Sequence, residues 1–556
     1  MPSSPVPVDS KRVQLHSPEQ PGPVIQMWRP QWESLLPTLI FGVSLLYLWL
    51  FRHYSSMDPD EGIVLQGAER ILRGEVPYRD FFSFYTPGSF YLVAGLFKIF
   101  GDSFVVARSS IAVVGAGTTV LTYLLARRVC PRRIALLAAG LSATSGVAYR
   151  FMVLHNWYAT FFACLAVYAA VRLLESGTAT WAFAAGSFAA FTTLIEQSKG
   201  AGLCIGLVVG YIVLRFLGRL EALRIATAVL GFIWPWLILL FYFGSRQALG
   251  VMWQNWLWPL QHYTNANHVF YGYQSWPIYF SNSILHTGPW WTIPWKYLAI
   301  TPGFVVPVVP LIAIAWLAYS SVQLHKGDNS QTRQYYVLLS AILSGLLLGV
   351  VLVRPDINHF MYLSPLWYVV LAWIMGAADI RSQLLQTLRP YLVAYVGIAF
   401  GLMGLALLLT MNAASDQINT RRGTVVTSGN DSVIDYIQAH VAPGDELLVY
   451  PYLPLYNYLT ETHSRARVDF FQSGMNTPQQ AQEIIDSLKS HPNQAVLFEP
   501  GFGGKFASSW PSTPLSAIVN DPVADFIARK YRVCRALVTP LSWRFQFMVP
   551  KDKSCH

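Results

Sequence analysis

A polytopic α-helical membrane protein with an α/β domain at its C-terminal end is the fold class this sequence predicts, on three observations. Of its 556 residues, 53% are hydrophobic and only 12% are charged, about half the charge share of a soluble domain. The mean hydropathy is +0.38. Apolar residues fall in runs of bilayer-crossing length until about residue 411, and beyond that the composition turns soluble-like. Together these exclude a water-soluble enzyme, a disordered chain and a disulfide-rich secreted module.

The elements follow in order. The first 33 residues are mostly polar and lack the pattern of a cleavable signal peptide, so 1–33 is expected to be a cytoplasmic segment. Spanning takes about 20 apolar residues. Candidate spans lie near 34–51, 105–126, 134–150, 157–174, 179–195, 200–216, 223–243, 298–318, 335–353, 360–378 and 391–411, a bundle of about 11 helices. The apolar stretch 89–100 is short and carries Lys98, and is read as interfacial or re-entrant. Charge supports that choice. With 89–100 not crossing, Arg127, Arg128, Arg132, Arg133, Arg172, Arg215, Arg219, Lys326, Arg333, Arg381 and Arg389 all fall on the side of the N-terminus, which the positive-inside rule makes cytoplasmic. The net charge of +10 is thus a topology signal, not a phosphate-tracking stripe, and no nucleic-acid partner is expected.

The transmembrane domain is expected over 34–411, with outward loops 52–104 and 244–297, and the extracytoplasmic α/β domain over 412–556. Within the latter, 431–440 and 479–488 read as helices, and 446–450 and 495–498 as strands. The five cysteines form no CxxC pair; Cys534 and Cys555 share the outward, oxidising compartment and could pair, though nothing in the sequence fixes their distance. No internal repeat of the inverted-transporter kind is evident.

The first outward loop carries the chemistry. Asp58-Pro59-Asp60-Glu61-Gly62 leads into a helix through Arg70, followed by Gly74-Glu75-Val76-Pro77-Tyr78-Arg79-Asp80-Phe81-Phe82 and Tyr85-Thr86-Pro87-Gly88. A bland account is a solvated loop with a helix cap. The sharper one notes that Pro77, Pro87 and Gly88 stiffen a loop whose aromatic residues would seat in the headgroup zone, holding carboxylates at the depth of a lipid phosphate. A carboxylate base and nearby cations are what sugar transfer from a lipid phosphate requires.

These residues resemble bacterial GT-C glycosyltransferases of the protein O-mannosyltransferase and lipid A aminoarabinose-transferase type, a glycosyltransferase family 39-like group, most strongly over residues 55–130. The resemblance implies a membrane enzyme of the bacterial inner membrane. It would use a polyprenyl-phosphate-linked sugar donor and a lipid, protein or polysaccharide acceptor at the outer face. It also implies that Asp60 is the essential acidic residue, with Glu61 completing the pair, and that His155-Asn156 adds a second polar position. One departure stands out: Tyr85 lies where many relatives carry a lysine, so another cation is needed. Candidates for holding donor phosphate or substrate are Arg79, Tyr85, His155, Asn156, Lys199, Arg354 and His359. Lys199 reads equally as a snorkelling helix-end residue, and Arg354 as the partner of Asp356 in a tight turn.

The loop 244–297 holds Trp253, Trp256, Trp258, Trp276, Trp290, Trp291 and Trp295 with Tyr263, Tyr271, Tyr273 and Tyr279, which fits an interfacial hairpin better than a sugar-stacking surface. No cofactor is required; a divalent metal shared by Asp60, Glu61 and a phosphate is left open. Two other readings are a transporter or flippase for a lipid-linked substrate, and a catalytically inactive assembly subunit. The first would need ionisable residues deep in the spans, whereas Glu196, Lys199, Arg354 and Asp356 fall at their edges.

Overall fold

The computed structural model describes residues 31–275, 286–323, 331–376, 383–501, 509–539 and 543–555. Trp276, Tyr279, Lys326, Arg381 and the first 30 residues lie outside the described residues. The protein is a helical bundle capped on one face by a small α/β domain.

Among the described residues, 7 helices are long and apolar enough to cross a membrane. These are α4 (Phe104–Val129), α6 (His155–Ser176), α8 (Gln197–Phe216), α9 (Ala222–Ser245), the run through α11 (Ile293–Ile300) and α12 (Pro302–Gln323), α13 (Gln331–Val353) and most of α16 (Gln383–Asn412). Shorter apolar helices are α1 (Gln31–Trp49), α3 (Gly88–Phe100), α7 (Ala179–Ile195) and α15 (Ser364–Gly376).

Two expected spans are irregular. Over 134–150, α5 (Arg132–Leu141) passes into π-helical Ser142–Gly146 and a 3-10 turn at Val147–Arg150. The run Ser142-Ala143-Thr144-Ser145-Gly146 explains this: Thr144 and Ser145 hydroxyls donate back to the carbonyls of Gly140 and Leu141, 2.8 and 2.6 Å away, competing with the regular ladder. Over 360–378, α14 (Ile357–Tyr362) and α15 are separate helices meeting at Leu363.

The stretch 89–100 does not cross. Tyr54, before it, bridges to Val426, and the Phe104 amide, after it, donates to the Arg422 carbonyl at 2.9 Å. Both flanks therefore touch the same C-terminal domain, and the chain returns to the face it left. At the opposite face, Arg128 pairs with Glu175 at 2.6 Å, and Tyr335 donates to the same carboxylate at 3.0 Å.

A close seam joins α8 to α13. A Cβ on Gly345 would lie 2.1 Å from the Gly202 carbonyl oxygen, and one on Gly206 2.5 Å from the Ile342 Cα. Only hydrogen fits there, so the two backbones touch, as in small-residue membrane helix pairs.

In the C-terminal domain, β1 (Asp416–Thr420) and β2 (Gly423–Thr427) form a hairpin. A second sheet has the order β3-β4-β6-β5, with β3 (Leu447–Tyr450) parallel to β4 (Ala495–Phe498). β6 (Arg544–Pro550) runs antiparallel to both β4 and β5 (Tyr531–Val538). Helices α17 (Ser432–His440), α19 (Pro478–Ser490) and α21 (Pro522–Lys530) cover it, α19 opening with a capping box from Thr477 to Gln480. Cys534 and Cys555 are disulfide-bonded, tying β5 to the chain after β6.

The aromatic rings of the first outward loop, expected to lie among lipid headgroups, pack against protein. Phe82, Phe84, Trp258 and Phe470 form one buried cluster, with Phe84 stacked on Trp258 at 5.6 Å. Arg70, 3% exposed, binds Glu75 and Asp469, each at 2.7 Å. The loop is clamped between bundle and C-terminal domain because burying those rings against protein removes more apolar surface than laying them flat on lipid headgroups.

Candidate active site

Helix α2 (Pro59–Leu72) places the central carboxylate. Asp58 caps it, accepting from the Asp60 amide at 2.9 Å, and Pro59 supplies a preset φ at the first turn. Arg150, at the end of the 3-10 turn, reaches both acids: its Nη2 is 2.6 Å from Asp58 and 3.4 Å from Asp60. The Tyr362 hydroxyl accepts from Arg150 Nη1 at 2.7 Å, and the Trp157 indole donates to the Arg150 carbonyl at 2.8 Å. From the C-terminal domain, the Tyr452 hydroxyl donates to Asp60 at 3.3 Å. Burial pushes the Asp60 carboxyl above its usual value, Asp58 adds to that, and Arg150 and Tyr452 oppose it. The result is a carboxylate more basic than a free aspartate, held against one cation.

Asp60 opens onto a cavity of about 970 Å³ between the bundle and the C-terminal domain. Its far side is apolar and leads outward between α8, α13 and α10 (Leu249–Asn267), past Ile205, Leu260 and Leu352, which are 49%, 77% and 68% exposed.

The cavity collects Asp60, Tyr85, His155, Asn156, Arg354 and His359, all expected from the sequence. The Tyr85 ring lies 4.2 Å from that of His155. Arg354 is bound by Asp356 at 2.6 Å and by Asn267 at 3.1 Å, and donates to the Ser509 carbonyl, so it makes the expected tight turn and also lines the cavity. Burial alone would raise the Asp356 carboxyl, but His359 and Arg354 hold it below the usual carboxylate range. Asp356 accepts from His359 Nδ1 at 2.7 Å, which orients the imidazole with Nε2 away from that bond.

Three expected residues sit differently. Glu61 is fully buried outside the cavity, 2.6 Å from Arg108 and accepting from the Val153 amide at 2.9 Å; one step along the helix from Asp60 turns its side chain into the packed interior. Arg79 pairs with Asp80 at 2.8 Å, 44% exposed, and does not line the cavity. Lys199 borders a small side recess with its ammonium engaged by Glu196, the Asn156 carbonyl and Thr160 at 3.0, 3.0 and 3.1 Å. The aromatic loop 244–297 contributes more than a hairpin at an interface: Trp256 and Tyr263 line the cavity.

Sequence reasoning did not single out Arg150. A signal existed, because Arg150 closes the third expected span at its outer end, a few residues before His155-Asn156. Tyr452 carried no such signal. Among the described residues, no three His, Cys, Asp or Glu side chains are grouped so as to hold a metal ion.

Comparison with known proteins places this architecture. The structure resembles the crystal structure of ArnT from Cupriavidus metallidurans in the apo state, with a TM-score of 0.51 at 12% identity, over 93% of this chain and 98% of that one. The chain has a GT-C fold. The ArnT structure bound to undecaprenyl phosphate matches the GT-C bundle and its cap at a TM-score of 0.50 and 12% identity, over 94% and 99% of the two chains. Residues 85–239, from the end of the first loop through α9, match the dolichyl-phosphate-mannose-protein mannosyltransferase family. The resemblance carried by the first loop thus extends to a family match and to the GT-C architecture as a whole. No curated protein sequence matches.

Proposed function

We propose that this GT-C protein is a glycosyltransferase that moves a sugar from a polyprenyl-phosphate donor to an acceptor hydroxyl. One observation carries the proposal: a single cavity joins a basic carboxylate, Asp60, to an apolar mouth between α8, α13 and α10. A donor with a long hydrocarbon tail and a charged head fits that polarity. Asp60 takes the proton of the acceptor hydroxyl as its oxygen attacks the anomeric carbon, and the sugar–phosphate C–O bond breaks. The polyprenyl phosphate leaves on the opposite side of the ring, so configuration inverts. Arg354 and His359, lining the same cavity, are the groups offered to the departing phosphate in place of the lysine missing at Tyr85, while Arg150 balances Asp58 and Asp60. The same reading places the N-terminus in the cytoplasm and the capped face outside, in a bacterial inner membrane.

The test is Asp60→Asn. It replaces the base with an isosteric amide, so transfer from radiolabelled polyprenyl-phosphate sugars into lipid, protein or glycan fractions should fall at least about a hundredfold, with the thermal midpoint unchanged. Undiminished turnover in the variant excludes the assignment.

A further inference from the structure

We propose that the roof of the cavity is an acceptor subsite for an uncharged saccharide. This rests on the transferase reading and names its acceptor class. The cavity has two chemically distinct halves. Its charged side chains, Asp58, Asp60, Arg150, Glu196, Arg354 and Asp356, all come from the helical bundle and its loops. Among the described residues, the side chains that the C-terminal domain brings to it are Tyr452, Gln472, Met475, Ser509, Trp510 and Trp543, none of them charged. Among the described residues, an anionic acceptor would find no cation on this half of the cavity and would lie beside a carboxylate. A sugar ring needs instead aromatic faces and neutral hydrogen-bonding groups.

Gln472 supplies the second observation. It is 2% exposed and borders the cavity, yet its amide nitrogen has no hydrogen-bond partner. A buried donor left unmade is costly, about 1–3 kcal/mol, and a ligand acceptor atom removes that cost. Its backbone is fixed: the Gln472 amide donates to Asn476 Oδ1 at 2.8 Å, and its carbonyl accepts from the amides of Met475 and Asn476 at 3.0 and 2.9 Å. The side chain therefore stands on a rigid turn that leads into the capped α19.

The subsite is continuous with the base. The Trp510 ring packs edge-on against Tyr452 at 5.4 Å, and the Tyr452 hydroxyl reaches Asp60. A sugar lying against Trp510 with one oxygen on Gln472 sits beside the carboxylate that must take its proton. Amide-to-hydroxyl contacts of this sort discriminate strongly, because an analogue without the oxygen leaves the buried amide unpaired.

The experiment uses the full chain in nanodiscs, with direct binding measured by saturation-transfer NMR and intrinsic tryptophan fluorescence. The probes are methyl α-mannoside, methyl β-galactoside and mannotriose, against glucose 1-phosphate and a Ser/Thr-rich peptide; undecaprenyl phosphate is titrated separately. The neutral glycosides should bind, and Gln472→Leu should weaken them about tenfold while undecaprenyl phosphate binding and the thermal midpoint stay unchanged. Preference for the phosphate or the peptide, or glycoside binding indifferent to Gln472→Leu, overturns the proposal. If Gln472→Leu does not fold, the probe preference of the unaltered protein decides alone. Failure of undecaprenyl phosphate to bind the unaltered protein strikes the transferase reading, and is seen in its own titration.

Discussion

Three neighbours set the charge at Asp60, and they can be altered one at a time. Asp58 raises the Asp60 carboxyl, and Arg150 and Tyr452 lower it, after burial has raised it most. A base must be ionised to act, so activity falls as pH drops through a value above that of an ordinary aspartate. Asp58→Asn keeps an oxygen to cap α2 but removes the repulsion and leaves Arg150 to Asp60. The acid limb of kcat/KM against pH should therefore move to lower pH in Asp58→Asn; an upward move or none contradicts the assigned charge balance. Glu61 behaves oppositely. Its partner Arg108 is 1% exposed, so Glu61→Gln strands a buried guanidinium, at a cost of about 3–5 kcal/mol. The expected outcome is a clear drop in thermal midpoint, where Asp60→Asn shows none. Both acids were visible in the sequence as a pair. Their division of labour was not, because it depends on which side of a helix faces the cavity and on Arg108, which reads in sequence as part of an apolar span.

At the scale of elements, regular amphipathic segments were legible and irregular ones were not. The helices at Ser432–His440 and Pro478–Ser490 and the strands at Leu447–Tyr450 and Ala495–Phe498 lie within about two residues of their expected places, since each carries a clean period and a turn signal. The expected span 134–150 breaks into three kinds of helix, since apolar length alone does not register hydroxyls that turn back on the backbone. The α8–α13 seam matters for function as well as packing, because Gly202 and Gly349 border the cavity. Gly345→Leu drives a side chain into the Gly202 carbonyl, and overpacking of this sort costs about 1–3 kcal/mol. A lower thermal midpoint together with weaker undecaprenyl phosphate binding is expected, measured by scanning calorimetry and titration. Weakened stability with unaltered lipid binding would detach the seam from the mouth.

Across the whole molecule, two charged ends face apart. One carries Arg128, Glu175 and the basic turns; the other carries Asp60, Arg354 and the C-terminal domain. Arginine placement predicted this division, including the return of the first loop, because positive charge marks a side whatever the fold. With Asp486, 57% exposed on the C-terminal domain, and Arg133 on the far face, Asp486→Cys and Arg133→Cys should react with a membrane-impermeant maleimide from opposite compartments, Asp486→Cys from outside in intact cells. Labelling of both from one side contradicts the topology. The pairing of loop with C-terminal domain had no local signature: the Asp60–Tyr452 contact spans 392 residues of chain. That separation has a consequence for biosynthesis. A ribosome delivers Asp60 to the membrane long before it reaches Tyr452, so the nascent chain holds a base without a lid, and the reaction chamber closes only when the last domain emerges and folds down. On the proposed function, transfer chemistry shielded from water then waits on the last domain of the chain.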